Sequence, residues 1–134
     1  MEDYTFTDLS KTREELLSGS VSATSLTNLY LKRAAEGDRF NAFLEVFHDS
    51  ALTAAKRLDD KIASGQPVGK LAGAIVGIKD NMCYQGHKVS AASKILEGFE
   101  SVFTATAIQR LIDEDAIILG RLNCDEFAMG SSNE

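Results

Sequence analysis

The chain has 134 residues, 44% of them hydrophobic and 25% charged, enough for one domain with a core and too apolar for a disordered segment. With 20 acidic against 14 basic residues the net charge is −6, so the chain lacks the basic stripe that phosphate binding demands, and any nucleic-acid contact is expected elsewhere. No apolar run approaches the roughly 20 residues of a bilayer span, and MEDYTFTDLS is acidic where a secretory leader is basic and then greasy; the default expectation is a cytoplasmic chain with no membrane partner.

Up to Pro67 the pattern is mostly helical. Leu9, Leu16 and Leu17 share a face in TDLSKTREELLSG, with Thr7 able to cap the start and Gly19 the end. SATSLTNLYLKRAAEG repeats the arrangement, with Ser22 as cap, a stripe of Leu26, Leu29, Tyr30 and Ala34, and Gly37 past the end. Two short helices joined by a tight turn predict a helical hairpin. NAFLEVF alternates faces and predicts a short strand, Ala42 to Phe47, and Ala51, Leu52, Ala55, Leu58 and Ile62 mark a third amphipathic helix. The lone proline sits in SGQPVGK, the best internal boundary.

After Pro67 the pattern changes. LAGAIVGIK and AIILGRL, the latter Ala116 to Leu122, are nearly continuous apolar runs, as expected of strands buried on both faces. Between them TATAIQRLIDED offers Thr104 as cap and Ile108, Leu111 and Ile112 as an inward stripe, so strand, helix and strand form a βαβ unit. The connection from the first strand to that helix, Asn81 to Phe103, far exceeds the usual ~2–6 residues, and loops of that length are functional more often than short ones. Ligands of open parallel sheets bind beyond the carboxyl ends of the strands, where Lys79, Asp80 and Asn81 lie and toward which NCDEFAMGSS also opens.

Spacing alone leaves Lys79 a solvated residue at a strand end. Asp80 and Asn81 read equally as turn formers or as residues that orient the lysine or the loop. Cys83 and His87 can be drawn as a thiolate and its base, but four residues apart in an irregular loop they read better as local residues. Cys83 and Cys124 are expected as reduced thiols, and with only His48 and His87 beside them no metal site is expected. Ser93 can cap a short helix, and Asp125 with Glu126 can start another.

The stretch from LAGAIVGIKDN to DEFAMGSS resembles the front of the amidase-signature family. Within that family SKILEG, DEFAMGSSNE and the helical N-terminus with FNAF resemble the branch that serves as the glutamine-hydrolysing subunit of tRNA-dependent amidotransferases. The resemblance implies an α/β fold: the N-terminal part of an amidase-signature fold, a helical hairpin plus helix followed by a βαβ unit of a mixed sheet. Residues 1–66 would be a helix-rich lead-in, and residues 67–134 would carry the catalytic lysine within a single larger domain.

It further implies a triad of a nucleophilic serine, a second serine after a cis peptide, and a lysine that matches Lys79. Both serines belong to a GGSSGG and DxGGS signature that these 134 residues do not contain. The chain is therefore expected to be an N-terminal fragment, inactive alone, with Met129, Gly130 and Ser131 on the acyl-binding side and Asp80 and Asn81 in support. A lysine that takes a proton must itself be neutral, and burial against Ile75, Val76 and Ile78 would favour that form. The implied activity is hydrolysis of glutamine to supply ammonia for converting Glu-tRNA(Gln) to Gln-tRNA(Gln), or Asp-tRNA(Asn) to Asn-tRNA(Asn). The implied partners are two further subunits of B and C type; one of them would use ATP, a partner would handle most of the aminoacyl-tRNA, and no cofactor would be bound by this chain. A stand-alone amidase acting on a small amide is the alternative, and a non-enzymatic interaction domain is a third reading.

Overall fold

The computed structural model describes residues 4–130. In chain order the elements are α1 (Leu9–Leu17), α2 (Ala23–Glu36), β1 (Phe43–Val46), α3 (His48–Ala63), β2 (Ile75–Lys79), α4 (Thr106–Asp113) and β3 (Ile117–Leu122), with short 3-10 turns at Asp38–Phe40, Lys94–Leu96 and Glu126–Ala128. The strands form a mixed sheet in the order β1-β3-β2, with β2 parallel and β1 antiparallel to β3.

β3 is central and buried, as its unbroken apolar run predicts. Its alternation divides the core. Ile117 and Leu119 face α1–α3, joining Leu16, Leu26, Leu31, Ala51, Ala55 and Leu58, while Ile118 joins Ile78, Phe47 and Ile108 on the α4 side. Close approach of β1 to β3 requires Gly120. A Cβ there would stand 2.5 Å from the Glu45 carbonyl oxygen and 2.8 Å from the Phe43 ring.

Several local expectations need correction. β2 is an edge strand and mostly half-buried, with Ile78 alone fully buried, because only β3 pairs with it. The cap of α1 is Asp8, whose carboxylate accepts from the Lys11 amide at 2.8 Å; Thr7 lies one residue too early. Leu17 is 46% exposed, since the inward face of α1 runs through Thr12 and Leu16. Thr104 does not cap α4, which starts after Ala105; its hydroxyl accepts from the Gln85 amide at 3.2 Å.

The hairpin of α1 and α2 forms, with the Arg33 guanidinium donating to the Tyr4 carbonyl at 2.6 Å, and α2 packs most extensively along α3. The reason is at its N-terminus. Ser22 makes the expected cap, and Asp59 of α3 reaches across to accept from the amides of Ala23 at 2.7 Å and Thr24 at 3.0 Å and from the Thr24 hydroxyl at 2.6 Å. Those amides have no partner within their own helix, so α3 supplies one and fixes the pair.

The proposed boundary at Pro67 is stitched to the βαβ unit. Asp115, in the turn between α4 and β3, accepts from the Gly69 amide and from the Lys61 amine, each at 2.6 Å.

Candidate functional site

The parallel pairing of β2 with β3 brings two strand ends together, as the sequence predicts. Lys79 pairs with Leu122, and the Asp80 amide donates to the Leu122 carbonyl at 3.0 Å. Both strands therefore deliver their following segments, 80–103 and 123–130, to the same end of the sheet.

Lys79 is exposed there. The apolar enclosure expected from Ile75, Val76 and Ile78 is absent, because alternation sends buried Ile78 to the α4 side and leaves the amine beyond the last rung of an edge strand. Asn81 is exposed in the turn that follows, where the Met82 amide returns to the Lys79 carbonyl at 3.0 Å.

Asp80 is fully buried. One carboxylate oxygen accepts from the Ser90 amide at 3.0 Å and from the Arg121 guanidinium, and the other from the Ser90 hydroxyl at 2.6 Å and the Ala92 amide at 2.9 Å. Its carbonyl accepts from the Ala91 amide at 2.9 Å. Burial alone would raise the carboxyl's pKa. The bonds from Ser90, Ala92 and Arg121 outweigh it and hold the group below the usual carboxylate range. Behind Arg121 stands Glu45 of β1, 3.5 Å from the guanidinium, and Glu45 in turn lies 3.8 Å from His87 Nδ1.

The segment after β3 closes on the same loop. The Ser93 hydroxyl donates to Glu126 at 2.7 Å, and the Phe127 amide donates to the Ala91 carbonyl at 2.8 Å. Ser93 also caps its short 3-10 turn, as expected, while Asp125 and Glu126 start only a single 3-10 turn and no longer helix. Four non-glycine residues here have left-handed backbones: Ala91 (φ 48), Ala92 (φ 52), Phe127 (φ 51) and Ala128 (φ 59). Two open concavities, of about 380 and 760 Å³, flank this turn; Ala92 lines both and Lys79 lines neither.

Met129 is 81% exposed, and Gly130 lies so close to the Asp125 side chain that a Cβ would meet it at 2.3 Å. They reach the neighbourhood of Lys79 through Phe127, Ala91 and Asp80. Ser131 lies outside the described residues.

The Cys83–His87 pairing is replaced by a ring stack. His87 packs 4.6 Å from Tyr84 and 3.9 Å from Phe47, centroid to centroid. Cys124 is buried, and burial pushes its thiol up, with Asp80 adding to the effect and Lys79 opposing it. Among the described residues no three His, Cys, Asp or Glu side chains converge on a point where a metal could sit, and no helix is long and apolar enough to cross a membrane.

Sequence reasoning passed over Arg121, Glu45 and Ser90. Arg121 carried a signal, since a charge inside the apolar run AIILGRL demands a buried partner; Ser90 carried none, because only the fold brings it to Asp80.

A family model described as Amidase matches residues 25–134. The chain is 50% identical over all 134 residues to the A-type subunit of glutamyl-tRNA(Gln) amidotransferase from Chlorobium chlorochromatii, and 46% identical over the same length to its counterpart of the same name from Chlorobaculum tepidum. It spans 28% and 27% of those relatives, about a quarter of their length. Among solved structures, the peptide amidase of Stenotrophomonas maltophilia superposes with a TM-score of 0.87 at 31% identity, covering 99% of this chain and 28% of that enzyme.

Proposed function

Because the chain belongs to the amidase-signature family, we propose that it is the N-terminal part of a tRNA-dependent amidotransferase subunit that hydrolyses glutamine, and that Lys79 is the base of its active site. The observation that carries this reading is the position of Lys79, an exposed amine at the carboxyl end of a parallel strand, beside the end of its neighbour, in a chain half identical to such a subunit.

In the proposed chemistry Lys79 takes a proton, through a relay serine, from a nucleophilic serine; both serines lie outside these 134 residues. The serine oxygen attacks the side-chain carbonyl of glutamine, the C–N bond breaks, and nitrogen leaves as ammonia with a proton returned to it. Water then cleaves the acyl-enzyme to glutamate. The ammonia passes to an aminoacyl-tRNA activated with ATP on a partner subunit, in a complex with two further subunits of B and C type. Met129, Gly130 and Ser131 would border the acyl group. The exposure of Lys79 fits this reading, since an amine walled in by its own β2–β3 unit would have no room for a relay serine. By the same reasoning, residues 1–134 alone have no glutaminase activity.

The test is Lys79→Ala and Lys79→Arg in a protein of the relatives' full length, assayed for ammonia release from glutamine. Both should fall by about 10²–10⁴-fold with the fold intact, Lys79→Arg included because a guanidinium stays protonated. Retention of more than about a tenth of the wild-type rate in either returns Lys79 to a solvated strand-end residue. The superposition on a peptide amidase favours a second reading, a stand-alone amidase. A parent protein that purifies without partners and whose turnover ignores ATP and tRNA would establish it.

A further inference from the structure

We propose that the Asp80–Arg121 pair is positioning machinery: it locks the backbone beneath Lys79 and the left-handed Ser90–Ser93 turn beside it into one preformed wall of the site. The inference rests on the reading of Lys79 as the base. Asp80 is the next residue in the chain, and its side chain is buried while that of Lys79 is exposed. Six hydrogen bonds hold it: its amide to Leu122, its carbonyl from Ala91, and its carboxylate from Ser90 (amide and hydroxyl), Ala92 and Arg121. A residue held at amide, carbonyl and carboxylate cannot rotate, so the adjoining Cα of Lys79 is fixed against β3 before any substrate arrives.

The other end of the clamp is a turn that would not persist unaided. Ala91 and Ala92 adopt consecutive positive φ values, a region disfavoured for residues with a Cβ, and such conformations survive only where their surroundings over-determine them. Here the surroundings do so. Asp80 accepts from the amides of residues 90, 91 and 92, Glu126 accepts from the Ser93 hydroxyl, and the Phe127 amide donates to the Ala91 carbonyl. Arg121 supplies the counter-charge that lets a carboxylate sit at zero exposure, and Glu45 backs it from β1. One buried anion therefore sets the relation between the proposed base and the turn that lines both flanking concavities. A buried ion pair whose only role was to join β2 to β3 would not need the turn's amides as well.

The experiment is steady-state glutamine hydrolysis by the full-length protein with Asp80→Asn, Ser90→Ala and Lys79→Ala, measured well below each variant's Tm with folding checked by circular dichroism. Ser90→Ala removes one bond and leaves the ion pair, so it keeps the test open if Asp80→Asn does not fold. Positioning predicts a loss in kcat of about 10²-fold for Asp80→Asn and a smaller but clear loss for Ser90→Ala, with KM for glutamine little changed, because misplacing a base by about 1 Å acts on the transition state. A purely structural role predicts lower Tm but wild-type kcat in the folded fraction. Wild-type kcat in the folded variants, with Lys79→Ala inactive, overturns the positioning role and leaves the base in place; an active Lys79→Ala overturns both.

Discussion

The two ends of this molecule are held by different chemistry. Around α1–α3 the core is made of leucines, isoleucine and alanines at helical and strand spacing, and the buried polar side chains of those helices, Thr12 and Thr27, carry no charge. At the carboxyl ends of β2 and β3 the buried groups include a pair of ions, Asp80 and Arg121, and the backbone between elements carries left-handed alanines. The first end gains stability from apolar area, to which many residues contribute interchangeably. The second gains it from a few directed bonds that tolerate no substitute, the cost expected where geometry serves a site.

The largest expected effect tests that contrast directly. Arg121→Met leaves Asp80 buried without its counter-charge and should destabilise by about 3–5 kcal/mol. Leu26→Ala, in the other region, should cost a similar ~2–5 kcal/mol by leaving a cavity. What separates the regions is rescue. Adding Asp80→Asn to Arg121→Met removes the orphaned charge and should recover much of the loss, whereas adding Leu16→Ala to Leu26→Ala should deepen it. Denaturant midpoints of the four variants decide; an Asp80→Asn, Arg121→Met double no more stable than Arg121→Met alone would erase the distinction.

The same division governs what the sequence reveals. Periodicity located every helix and strand to within a few residues, because Leu26, Ala51, Ala55 and Leu58 or the run Ile117–Leu119 are placed by burial, which leaves a repeating trace. It misplaced what depends on a partner distant in sequence. Leu17 fits the stripe of α1 but is 46% exposed, β2 reads as doubly buried yet lies on an edge, and the bonds from α2 to Asp59 of α3 leave no trace in the pattern. At the candidate site Lys79 and Asp80 were legible as strand-end residues. Their opposite fates, one exposed and one buried, were not, because Ser90, Ala92 and Arg121 converge on Asp80 only through the fold.

A change of pH should have a smaller effect than deleting Arg121, since it removes a charge and leaves the side chain in place. Each region holds one depressed carboxyl. For Asp80 and for Asp115 burial pushes upward, but Asp80 is held down by Ser90, Ala92 and Arg121, and Asp115 by the Gly69 amide and Lys61. A carboxyl whose native pKa lies below its unfolded value of about 3.9 binds its proton more readily in the unfolded chain. Its contribution is therefore complete above that value and is lost as pH falls through the native one. These two groups should add no slope to stability between pH 7 and 5 and a clear downward slope below about pH 4. Asp115→Asn should make that acid slope shallower by up to one proton's worth, read from denaturant midpoints at pH 5, 4 and 3. An unchanged slope would mean that Asp115 titrates alike in both states.

The smallest effect is the most discriminating, because one substitution should act with opposite sign in the two regions. In the interior of α3, Ala54→Gly should cost about 1 kcal/mol, as glycine loses more backbone freedom than alanine on entering a helix. At Ala92 glycine bears the same entropic cost of ~0.5–1 kcal/mol, but the left-handed backbone it relieves costs an alanine roughly 1–2 kcal/mol. Ala92 is exposed, so its methyl gives up little packing. The balance is a Tm unchanged or raised by up to about a degree for Ala92→Gly, against a fall of about a degree for Ala54→Gly, measured side by side in the full-length protein. Should Ala92→Gly lower Tm as much as Ala54→Gly, the turn at Ala91–Ala92 stores no strain, and Asp80 is not needed to hold it in place.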